Sequence, residues 1–333
     1  MPAMKNISII GDGAMGSVCA ILLCEKRYAV RMWGYDAKQL AEIQKKRENV
    51  KFLPGYKLPD SLIFEARDSE ILKNADLILS AVPCQYMRSV FGRLKNYFDL
   101  SVPIVSVTKG IENGTLLRPS QILSDVIDSD VKVVILSGPT IADELIRKLP
   151  ATATAACEDE QLAKIVQEIF TTPSLRVYRN TDIVGVELAG AMKNVIAIAA
   201  GIVDGIKAGD NAKAALLCRG LAEITRLGLA LGAKEQTFSG LSGLGDLVTT
   251  CISPMGRNRS FGQRIGTGQN VKQAIEATAS VVEGAATCKS VVELAKRHHI
   301  DMPITEAVHE ILFCGKAVSV AIEELMRRKL KAE

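Results

Sequence analysis

Short apolar runs alternate with amphipathic stretches over the first half of the chain. Near-continuous apolar runs of this length are typical of parallel strands covered on both faces, and the stretches between them predict helices. We therefore predict a Rossmann-type, doubly wound α/β sheet for this half. The predicted strands are residues 7–10, 29–33, 62–65, 76–82, 104–108, 131–136, 152–156 and 175–178.

After residue 182 the pattern changes to long helical periods without clear strands. This change predicts two domains, a sheet domain at 1–183 and an all-helical domain at 184–333. The glycine-rich stretch 238–246 is predicted to be a loop. The predicted helices of the second domain are residues 184–203, 211–232, 271–277, 287–298, 304–313 and 318–330.

Two local features of the helical half carry further expectations. Arg219, Glu223 and Arg226 recur at helical spacing, which predicts an ion-pair ladder on one helix face. Thr305 precedes an apolar period and is predicted to cap the helix that follows it.

The first predicted strand ends in a glycine-rich turn, Gly11-Asp12-Gly13-Ala14-Met15-Gly16, and a helix follows. GxGxxG between a strand and a helix lets a pyrophosphate approach backbone N–H groups at the positive end of that helix. The turn therefore predicts dinucleotide binding, and the alternative is a tight turn without a ligand.

The second strand ends in Trp33, Gly34, Tyr35 and Asp36. An acid at this strand tip favours NAD because it accepts from the ribose 2′-hydroxyl, whereas a basic residue favours NADP. Neither stands at Trp33 or Gly34, and Asp36 is predicted to cap the helix that begins at Ala37. The sequence leaves the choice between NAD and NADP open.

Residues 184–203 form a helix that is apolar nearly all the way round, which is typical of a buried or membrane-spanning helix. Glu187, Lys193 and Asn194 interrupt the run, so we predict a buried helix. A lysine buried among small residues loses hydration, which makes Lys193 a candidate proton donor and acceptor. The alternatives are a side chain that reaches the surface or a structural ion pair.

Other polar groups follow predicted strands or glycines. Lys109 and the turn Gly138–Thr140 lie at carboxyl ends of strands, where open α/β sheets bind ligands. Asp246 could be the anion that partners Lys193, and Arg257 has the planar fork that suits phosphate. The alternatives are a surface lysine, a simple turn and an ordinary capped loop.

Composition narrows the classes of function. The chain has 333 residues, 48% of them hydrophobic, and a net charge of +4 that is too small to indicate nucleic-acid binding. None of the 8 cysteines forms a CxxC pair, and the three histidines lie near the C-terminus. We expect no metal site, no membrane span, no nucleic-acid partner and a reduced, cytoplasmic setting.

Longer motifs match one known family from end to end of the chain. The matching stretches are FLPGYKLP (52–59), VTKGIE (107–112), LSGPTIADE (136–144), VGVELAGAMKNVIAIAAGIVDG (184–205), DNAKAALLCRGLAEITRLG (210–228), LSGLGDLVTTC (241–251), GRNRSFG (256–262), VVEG (281–284) and MPITEAV (302–308). The chain resembles the soluble bacterial NAD(P)-dependent sn-glycerol-3-phosphate dehydrogenases.

The resemblance implies a fold, a reaction and a setting. The helical domain would resemble the C-terminal domain of 6-phosphogluconate dehydrogenase. The reaction would interconvert dihydroxyacetone phosphate and sn-glycerol 3-phosphate, both small molecules, with NAD(P)H. It would supply glycerol 3-phosphate for phospholipid synthesis in the cytoplasm. The sequence leaves the oligomeric state open, with a homodimer among the alternatives.

The resemblance also implies residue roles. Lys193 would be the catalytic acid and base, with Asp246 and Thr250 beside it, and Lys109 would contact cofactor and substrate. The substrate-binding residues would be Lys109, Gly138, Thr140, Lys193, Asp246, Gly256, Arg257 and Asn258. The cofactor-binding residues would be Gly11, Gly13, Ala14, Met15, Gly16, Tyr35, Lys109, Ala142, Arg257, Val281 and Glu283.

This chain departs from the family pattern in three places. Ala14-Met15 replaces a small polar residue and an aromatic one, which leaves backbone contacts in place. Tyr35 replaces the usual Arg or His, which puts a preference for NADP in doubt. Gly256 replaces the usual Ser and removes one hydroxyl donor.

Two alternative functions remain open at this point. One is another two-domain dehydrogenase, acting on a β-hydroxy acid, which would need a carboxylate clamp in place of Arg257 and Asn258. The other is a dinucleotide sensor without catalysis, which would have no reason to combine Lys109, Lys193 and Asp246 with a phosphate-binding arginine.

Overall fold

The computed structural model describes residues 4–278 and 281–330, which divide into two compact units. The first unit comprises the described residues up to Lys109 together with Leu117–Ile183. The second comprises Gly110–Leu116 and the described residues from Val184 onward. Ser290 holds the segment Gly110–Leu116 to the second unit, since its Oγ donates to the oxygen of Ile111 (3.2 Å) and to Asn113 Oδ1 (2.6 Å).

The first unit is built on an eight-stranded sheet with the order β10-β9-β8-β7-β6-β1-β2-β5. All neighbouring strands are parallel except β8 and β9. β3 and β4 form a separate two-stranded sheet. The strands of both sheets are β1 (Asn6–Ile10), β2 (Ala29–Trp33), β3 (Glu48–Asn49), β4 (Leu53–Lys57), β5 (Ile63–Phe64), β6 (Leu77–Ser80), β7 (Ile104–Ser106), β8 (Val133–Ser137), β9 (Ala151–Ala156) and β10 (Leu175–Asn180).

The strand order reverses at β1, which pairs with β2 on one side and β6 on the other. Such a reversal opens a crevice at the carboxyl ends of the strands, where dinucleotide folds hold their ligand. The predicted doubly wound sheet and its eight strands are confirmed. The hairpin of β3 and β4 was not predicted, because its strands are short and mostly polar or exposed.

Helices surround this sheet, and their apolar faces share its core. Asp36 caps α2 as predicted, since its carboxylate accepts from the backbone N–H of Lys38 (2.9 Å) and Gln39 (3.4 Å). The helices of this unit are α1 (Ala14–Glu25), α2 (Ala37–Lys46), α3 (Asp68–Ile71), α4 (Cys84–Leu94), the 3₁₀ turn Lys95–Tyr97, α5 (Pro119–Val126), α6 (Ala142–Ile146) and α7 (Glu160–Phe170).

The described part of the second unit is helical throughout its regular structure, in agreement with the predicted all-helical domain. Its helices are α8 (Ile183–Gly205), α9 (Asp210–Ala230), α10 (Glu235–Ser239), the π-helical turn Leu241–Gly245, α11 (Asp246–Ile252), α12 (Arg257–Gly266), α13 (Val271–Glu276), α14 (Glu283–Arg297), α15 (Pro303–Phe313) and α16 (Val318–Met326).

The glycine-rich stretch 238–246 is helical except at Gly240, so its prediction as a loop was wrong for most of its length. Helix α10 reaches into it, the π turn follows, and α11 begins at Asp246 without a break. Gly243 explains the preference for glycine here, because a Cβ at this position would lie 2.0 Å from the Phe238 oxygen. Gly243 therefore serves close packing within a helical segment, whereas Gly240 ends α10.

Helix α8 forms the centre of the second unit. It is long and apolar enough to cross a membrane, but 89% of its most apolar window is buried inside the protein. Its side chains belong to the largest apolar cluster of this unit. It is therefore a core helix, as its interrupting polar residues predicted.

Glycines bring α8 and α12 into backbone contact. A Cβ on Gly201 would lie 1.9 Å from the oxygen of Arg259, and a Cβ on Gly262 would lie 2.0 Å from the oxygen of Ile198. Gly205 and Gly266 extend the same contact by one helical turn. Because any side chain at these positions would push the helices apart, the glycines fix the distance between α8 and α12.

Glu223 does not belong to an ion-pair ladder, and that prediction was wrong. Its carboxylate instead accepts from the N–H groups of Ile304 (2.6 Å) and Thr305 (3.1 Å) and from Thr305 Oγ1 (3.0 Å). Within the described residues, no ion pair joins it to Arg219 or Arg226. A carboxylate at the positive end of α15 satisfies orphan N–H groups that local residues would otherwise have to cap.

Thr305 is likewise not the cap of α15. This helix begins at Pro303, its N-cap is Met302, and the hydroxyl of Thr305 points to Glu223. The donors of this helix end are satisfied from α9, a contact between residues about 80 positions apart. A local search for capping residues has no access to such a partner.

The glycine contact between α8 and α12 generates a stability prediction. We expect Gly201→Ala to destabilise the protein by about 2 kcal/mol or more, because the added methyl meets backbone and cannot be relieved by a side-chain rotation. The control is Gly92→Ala in α4, where the nearest atom to an added Cβ is a methyl of Val126 at 3.9 Å. Thermal unfolding of the two variants tests this, and an equal response would contradict the contact.

Glu223 generates a prediction about pH. Burial raises the pKa of its carboxyl to about 7, whereas in the unfolded chain the carboxyl has its ordinary pKa of 4.5. Unfolding therefore releases a proton between these values, and the free energy of unfolding falls as pH rises from about 4.5 to about 7. The loss attributable to this group is at most about 3 kcal/mol.

Glu223→Gln removes the titrating group and serves as the comparison. We expect the wild type to lose stability between about pH 5 and about pH 7.5 relative to this variant, measured as the midpoint of urea unfolding. Parallel pH profiles for the two proteins would show that the carboxyl titrates at its ordinary value.

Candidate active site

The glycine turn after β1 has a different physical requirement at each glycine. Gly11 has φ +116°, and a Cβ there would lie 2.7 Å from the oxygen of Ala81. A Cβ on Gly16 would lie 2.1 Å from the oxygen of Gly11, so this glycine lets α1 pack against the turn. Gly13 meets nothing within 4 Å, which leaves open space in front of its backbone.

This open space lies at the N-terminus of α1, where Gly13 is the N-cap and no side chain caps the helix. The uncapped N–H groups of Gly13, Ala14 and Met15 suit a phosphate, because a helix N-terminus carries partial positive charge. The turn is held from outside by Asn49, whose Nδ2 donates to the oxygen of Asp12 (2.7 Å) and to Ser17 Oγ (2.8 Å). The residues present therefore fit a dinucleotide.

Tyr35 lies two residues beyond the end of β2 and is 65% exposed. Its ring packs edge-on against Trp33, with 6.4 Å between ring centroids, and the guanidinium of Arg93 lies 5.6 Å from its centre. An exposed aromatic ring in this place offers a surface on which an adenine could stack.

Lys109, Gly138 and Thr140 are brought together at the ends of β7 and β8. Lys109 Nζ donates to the oxygen of Gly138 (3.1 Å), and Thr140 Oγ1 donates to the same oxygen (3.1 Å). Gly138 has φ +144° and packs so closely on β9 that a Cβ would lie 3.0 Å from the oxygen of Thr152. Ala142 follows as the first residue of α6.

In the second unit, Lys193 lies buried on α8, and its side chain donates to two polar side chains of α11. Its Nζ donates to the Asp246 carboxylate and to Thr250 Oγ1 (2.6 Å). Thr250 lies one turn after Asp246 on α11, and its hydroxyl donates to the backbone carbonyl oxygen of Asp246 (2.6 Å). The residues are 6% exposed at Lys193 and 1% at Asp246. The predicted pairing of Lys193 with Asp246 is present.

Cys251 follows Thr250 on α11 and is the thiol nearest in sequence to this cluster. Burial raises the pKa of Cys251 to about 12. A thiol of this kind stays protonated and is a poor nucleophile. Cys251 is therefore not a candidate nucleophile or proton donor of this region.

Gly256, Arg257 and Asn258 lie at the N-terminus of α12, with Gly256 as its N-cap. A Cβ on Gly256 would lie 3.0 Å from the oxygen of Thr250, so this end of α12 closely approaches α11. Asn258 Oδ1 accepts from the N–H of Gly284 (3.0 Å), which leaves the amide N–H₂ as the donating side of this residue. A helix N-terminus with an arginine and an amide donor suits a phosphate group.

An ionic group that the sequence did not reveal fixes α12. Asp204, at the end of α8, accepts from Lys213 Nζ on α9 (2.6 Å) and from Arg259 Nε on α12 (2.7 Å). Arg259 also donates to the oxygen of Ser253 (3.3 Å). These contacts tie the first turn of α12 to α8, and they join residues up to 55 positions apart.

Val281 and Glu283 lie at the start of α14, where Val281 is exposed and Glu283 is the first helical residue. The adjoining Gly284 packs against α8, since a Cβ there would lie 2.6 Å from the oxygen of Asn194. Among the described residues, no cluster of three histidine, cysteine, aspartate or glutamate side chains is arranged to hold a metal.

The predicted residues thus form four groups. The glycine turn and the Lys109 group belong to the first unit, and the Lys193 group and the N-terminus of α12 belong to the second. A glycine turn at the reversal of a parallel sheet, with a buried lysine–aspartate pair in a helical unit, defines the class of nicotinamide-dinucleotide dehydrogenases.

Comparison with known proteins narrows this class. Models of the N-terminus and the C-terminus of NAD-dependent glycerol-3-phosphate dehydrogenase match residues 6–163 and 182–323. The chain belongs to the NAD-dependent glycerol-3-phosphate dehydrogenase family, and the resemblance seen in its motifs is confirmed.

Individual relatives match over nearly the whole chain. Glycerol-3-phosphate dehydrogenases (NAD(P)+) from Geobacillus kaustophilus and Citrifermentans bemidjiense are 43% and 44% identical, over 99% of this chain and 96% and 99% of their own lengths. The crystal structure of glycerol-3-phosphate dehydrogenase from Coxiella burnetii is 37% identical, with a TM-score of 0.93, and the match covers 98% of this chain and 100% of that one.

Proposed function

We propose that the protein interconverts dihydroxyacetone phosphate and sn-glycerol 3-phosphate with NADH or NADPH, and that Lys193 is its catalytic acid and base. The observation that carries this proposal is the buried Lys193, held by Asp246 and Thr250. A buried ammonium is costly, and a family of dehydrogenases needs a proton donor for the reacting carbonyl.

The cofactor, when bound, supplies the hydride that reduces C2 of the ketone. Lys193 stabilises the negative charge that grows on the C2 oxygen and donates a proton to it, and it takes the proton back in the oxidation direction. Asp246 and Thr250 each accept from the ammonium, so together they restrict its orientation. Such restriction holds the proton donor in a reactive geometry.

The N-terminus of α12 is assigned to the substrate phosphate. Arg257 supplies a planar fork of donors and Asn258 an amide, beside the positive end of a helix of 10 residues. Gly256 has no hydroxyl, so its contribution is limited to the backbone. Asp204 positions this helix end through its ion pair with Arg259.

The first unit is assigned to the cofactor. Gly11, Gly13 and Gly16 give a pyrophosphate access to backbone N–H groups, with Ala14, Met15 and Tyr35 beside them. The proposed set of cofactor contacts also includes Lys109 and Ala142. From the second unit it includes Arg257, Val281 and Glu283. Gly138 and Thr140, which share the Lys109 hydrogen bonds, are assigned to the substrate.

The remaining expectations concern the cell. We propose that the enzyme acts in the cytoplasm and supplies glycerol 3-phosphate for phospholipid synthesis, without a nucleic-acid partner or a membrane span. A homodimer remains one of the alternatives for its assembly. Free cysteines, six of them buried, are compatible with the reducing setting.

The reaction is tested by initial rates with dihydroxyacetone phosphate and, separately, with β-keto acids. The arginine and amide at α12 suit a phosphate, so we expect oxidation of the reduced cofactor to depend on dihydroxyacetone phosphate. Turnover of a β-keto acid alone would favour the other dehydrogenase class, and cofactor binding without turnover would favour a sensor.

Lys193 generates the first prediction on activity. We expect Lys193→Ala to lower kcat by about 10²- to 10⁴-fold, because it removes the proton donor. Cofactor binding, measured by the fluorescence of the reduced nicotinamide, should stay nearly intact. Lys272→Ala on α13, an exposed lysine of the same unit, is the matched control and should retain full activity.

Loss of Lys193 leaves Asp246 buried without its cation, which can cost about 3–5 kcal/mol of stability. Lys193→Arg therefore provides a second variant, because it keeps a cation for Asp246 but lacks a proton that can be given up near neutral pH. We expect it to lose turnover as well. Near-normal turnover in either variant would disprove the assignment.

Arg257 generates a prediction about binding. We expect Arg257→Ala to raise the KM for dihydroxyacetone phosphate by about 10- to 100-fold, the worth of a hydrogen bond to a charged group. Arg264→Ala, which removes an arginine about two turns further along α12, is the control. Equal KM values in the two variants would contradict a phosphate contact at Arg257.

A further inference from the structure

In nicotinamide enzymes, a side chain at the tip of the second strand commonly distinguishes NADH from NADPH. An acid at this tip accepts from the 2′-hydroxyl of the adenosine ribose in NADH, and a basic residue binds the 2′-phosphate of NADPH. Here the strand ends at Trp33 and is followed by Gly34, so the strand itself supplies neither.

A carboxylate from elsewhere occupies the place of the missing side chain. A Cβ on Gly34 would lie 2.6 Å from Oδ2 and 2.7 Å from Cγ of Asp12. Asp12 is the second residue of the glycine turn, 22 positions earlier in the chain. Its carboxylate therefore lies where the first atoms of a side chain at position 34 would be.

Two polar contacts hold Asp12 in this place. Gln39 Nε2 donates to its Oδ2 (2.8 Å), and Asn49 Nδ2 donates to its backbone oxygen (2.7 Å). The side chain is partly buried, between the glycine turn and the first turn of α2. A carboxylate fixed at both its backbone and its side chain does not swing away when a ligand approaches.

The arginine beside this tip, Arg93, is already paired with a carboxylate. Arg93 stacks over Trp33 (5.2 Å) and Tyr35, but its Nε and Nη2 donate to the two oxygens of Asp68 (2.6 and 2.8 Å). Its charge is therefore matched by a carboxylate before any phosphate arrives.

Three more charged side chains belong to α2 and the residues around it. Lys51 lies over the ring of Phe52 (4.8 Å) and also contacts Gln39 Oε1 (3.4 Å). Lys38 is exposed in the first turn of α2, and Asp36 caps that helix with a second carboxylate. The two lysines are thus matched in number by the carboxylates of Asp12 and Asp36, so these four side chains supply no net positive charge for a 2′-phosphate.

We propose that Asp12 makes the enzyme prefer NADH over NADPH, by accepting a hydrogen bond from the ribose 2′-hydroxyl and repelling a 2′-phosphate. This inference rests on the proposed function, since it assumes that the glycine turn binds a nicotinamide dinucleotide. The discriminating acid is supplied by the glycine turn, and Gly34 provides the room for it.

The test is a pair of dissociation constants, for NADH and for NADPH, measured on the purified protein by cofactor fluorescence. We expect the wild type to bind NADH at least about tenfold more tightly. Asp12→Asn keeps the size of the side chain and removes its charge, and it should lower the Kd ratio of NADPH to NADH by about tenfold. The kcat/KM ratio of the two cofactors should shift in the same direction.

Asp36→Asn is the matched control, because it removes a nearby negative charge while asparagine retains the ability to cap α2. We expect it to change the Kd ratio by less than about twofold. If it shifts the ratio as much as Asp12→Asn does, the preference comes from overall charge and the role of Asp12 is overturned. Thermal unfolding reports whether each variant folds, and Asp12→Ala replaces Asp12→Asn if the latter does not.

Other outcomes separate this inference from the proposed function. Tighter binding of NADPH than of NADH by the wild type, or an unchanged ratio in Asp12→Asn, overturns the role of Asp12 and leaves the dehydrogenase reaction standing. Failure of the wild type to bind either cofactor overturns the proposed function itself, and this inference with it.

Discussion

The charge buried on α8 is the constraint on which the second unit depends. The ammonium of Lys193 lies within an apolar helix, where hydrogen bonds to Asp246 and Thr250 offset the cost of burying its charge. A buried ion pair often stabilises a fold no more than apolar side chains of the same volume would. Its place in the centre of a core helix is therefore consistent with the proton transfer that we propose for Lys193.

Glycines fix the distances between the helices that carry the proposed site residues. Gly201 and Gly262 bring the backbones of α8 and α12 together, and Gly256 brings the start of α12 close to α11. The lysine and the proposed phosphate-binding end thus start from helices in direct backbone contact. Asp204 adds an ionic tie at the same place through Arg259. Small residues and buried charges here position side chains that loops would hold less rigidly.

How much the sequence could predict depends on the distance over which each feature is determined. The strands, the glycine turn, the cap at Asp36 and the buried helix around Lys193 follow from local pattern, and the structure contains them. The helical segment around Gly243 was missed because glycine signals a loop unless the close packing that requires it is known. The roles of Glu223 and Asp204 depend on partners far away in sequence, which residue spacing does not reveal.

The glycine turn and the tip of β2 illustrate the same limit with a functional consequence. Read along the strand, Gly34 says nothing about the cofactor, and Asp12 is one variable position within GxGxxG. In the folded chain the two positions are coupled, because a Cβ at position 34 would clash with the carboxylate of Asp12. Recognition of the cofactor ribose depends on where a charge lies and not on which segment carries it. Gly34 and Asp12 therefore have to be considered together.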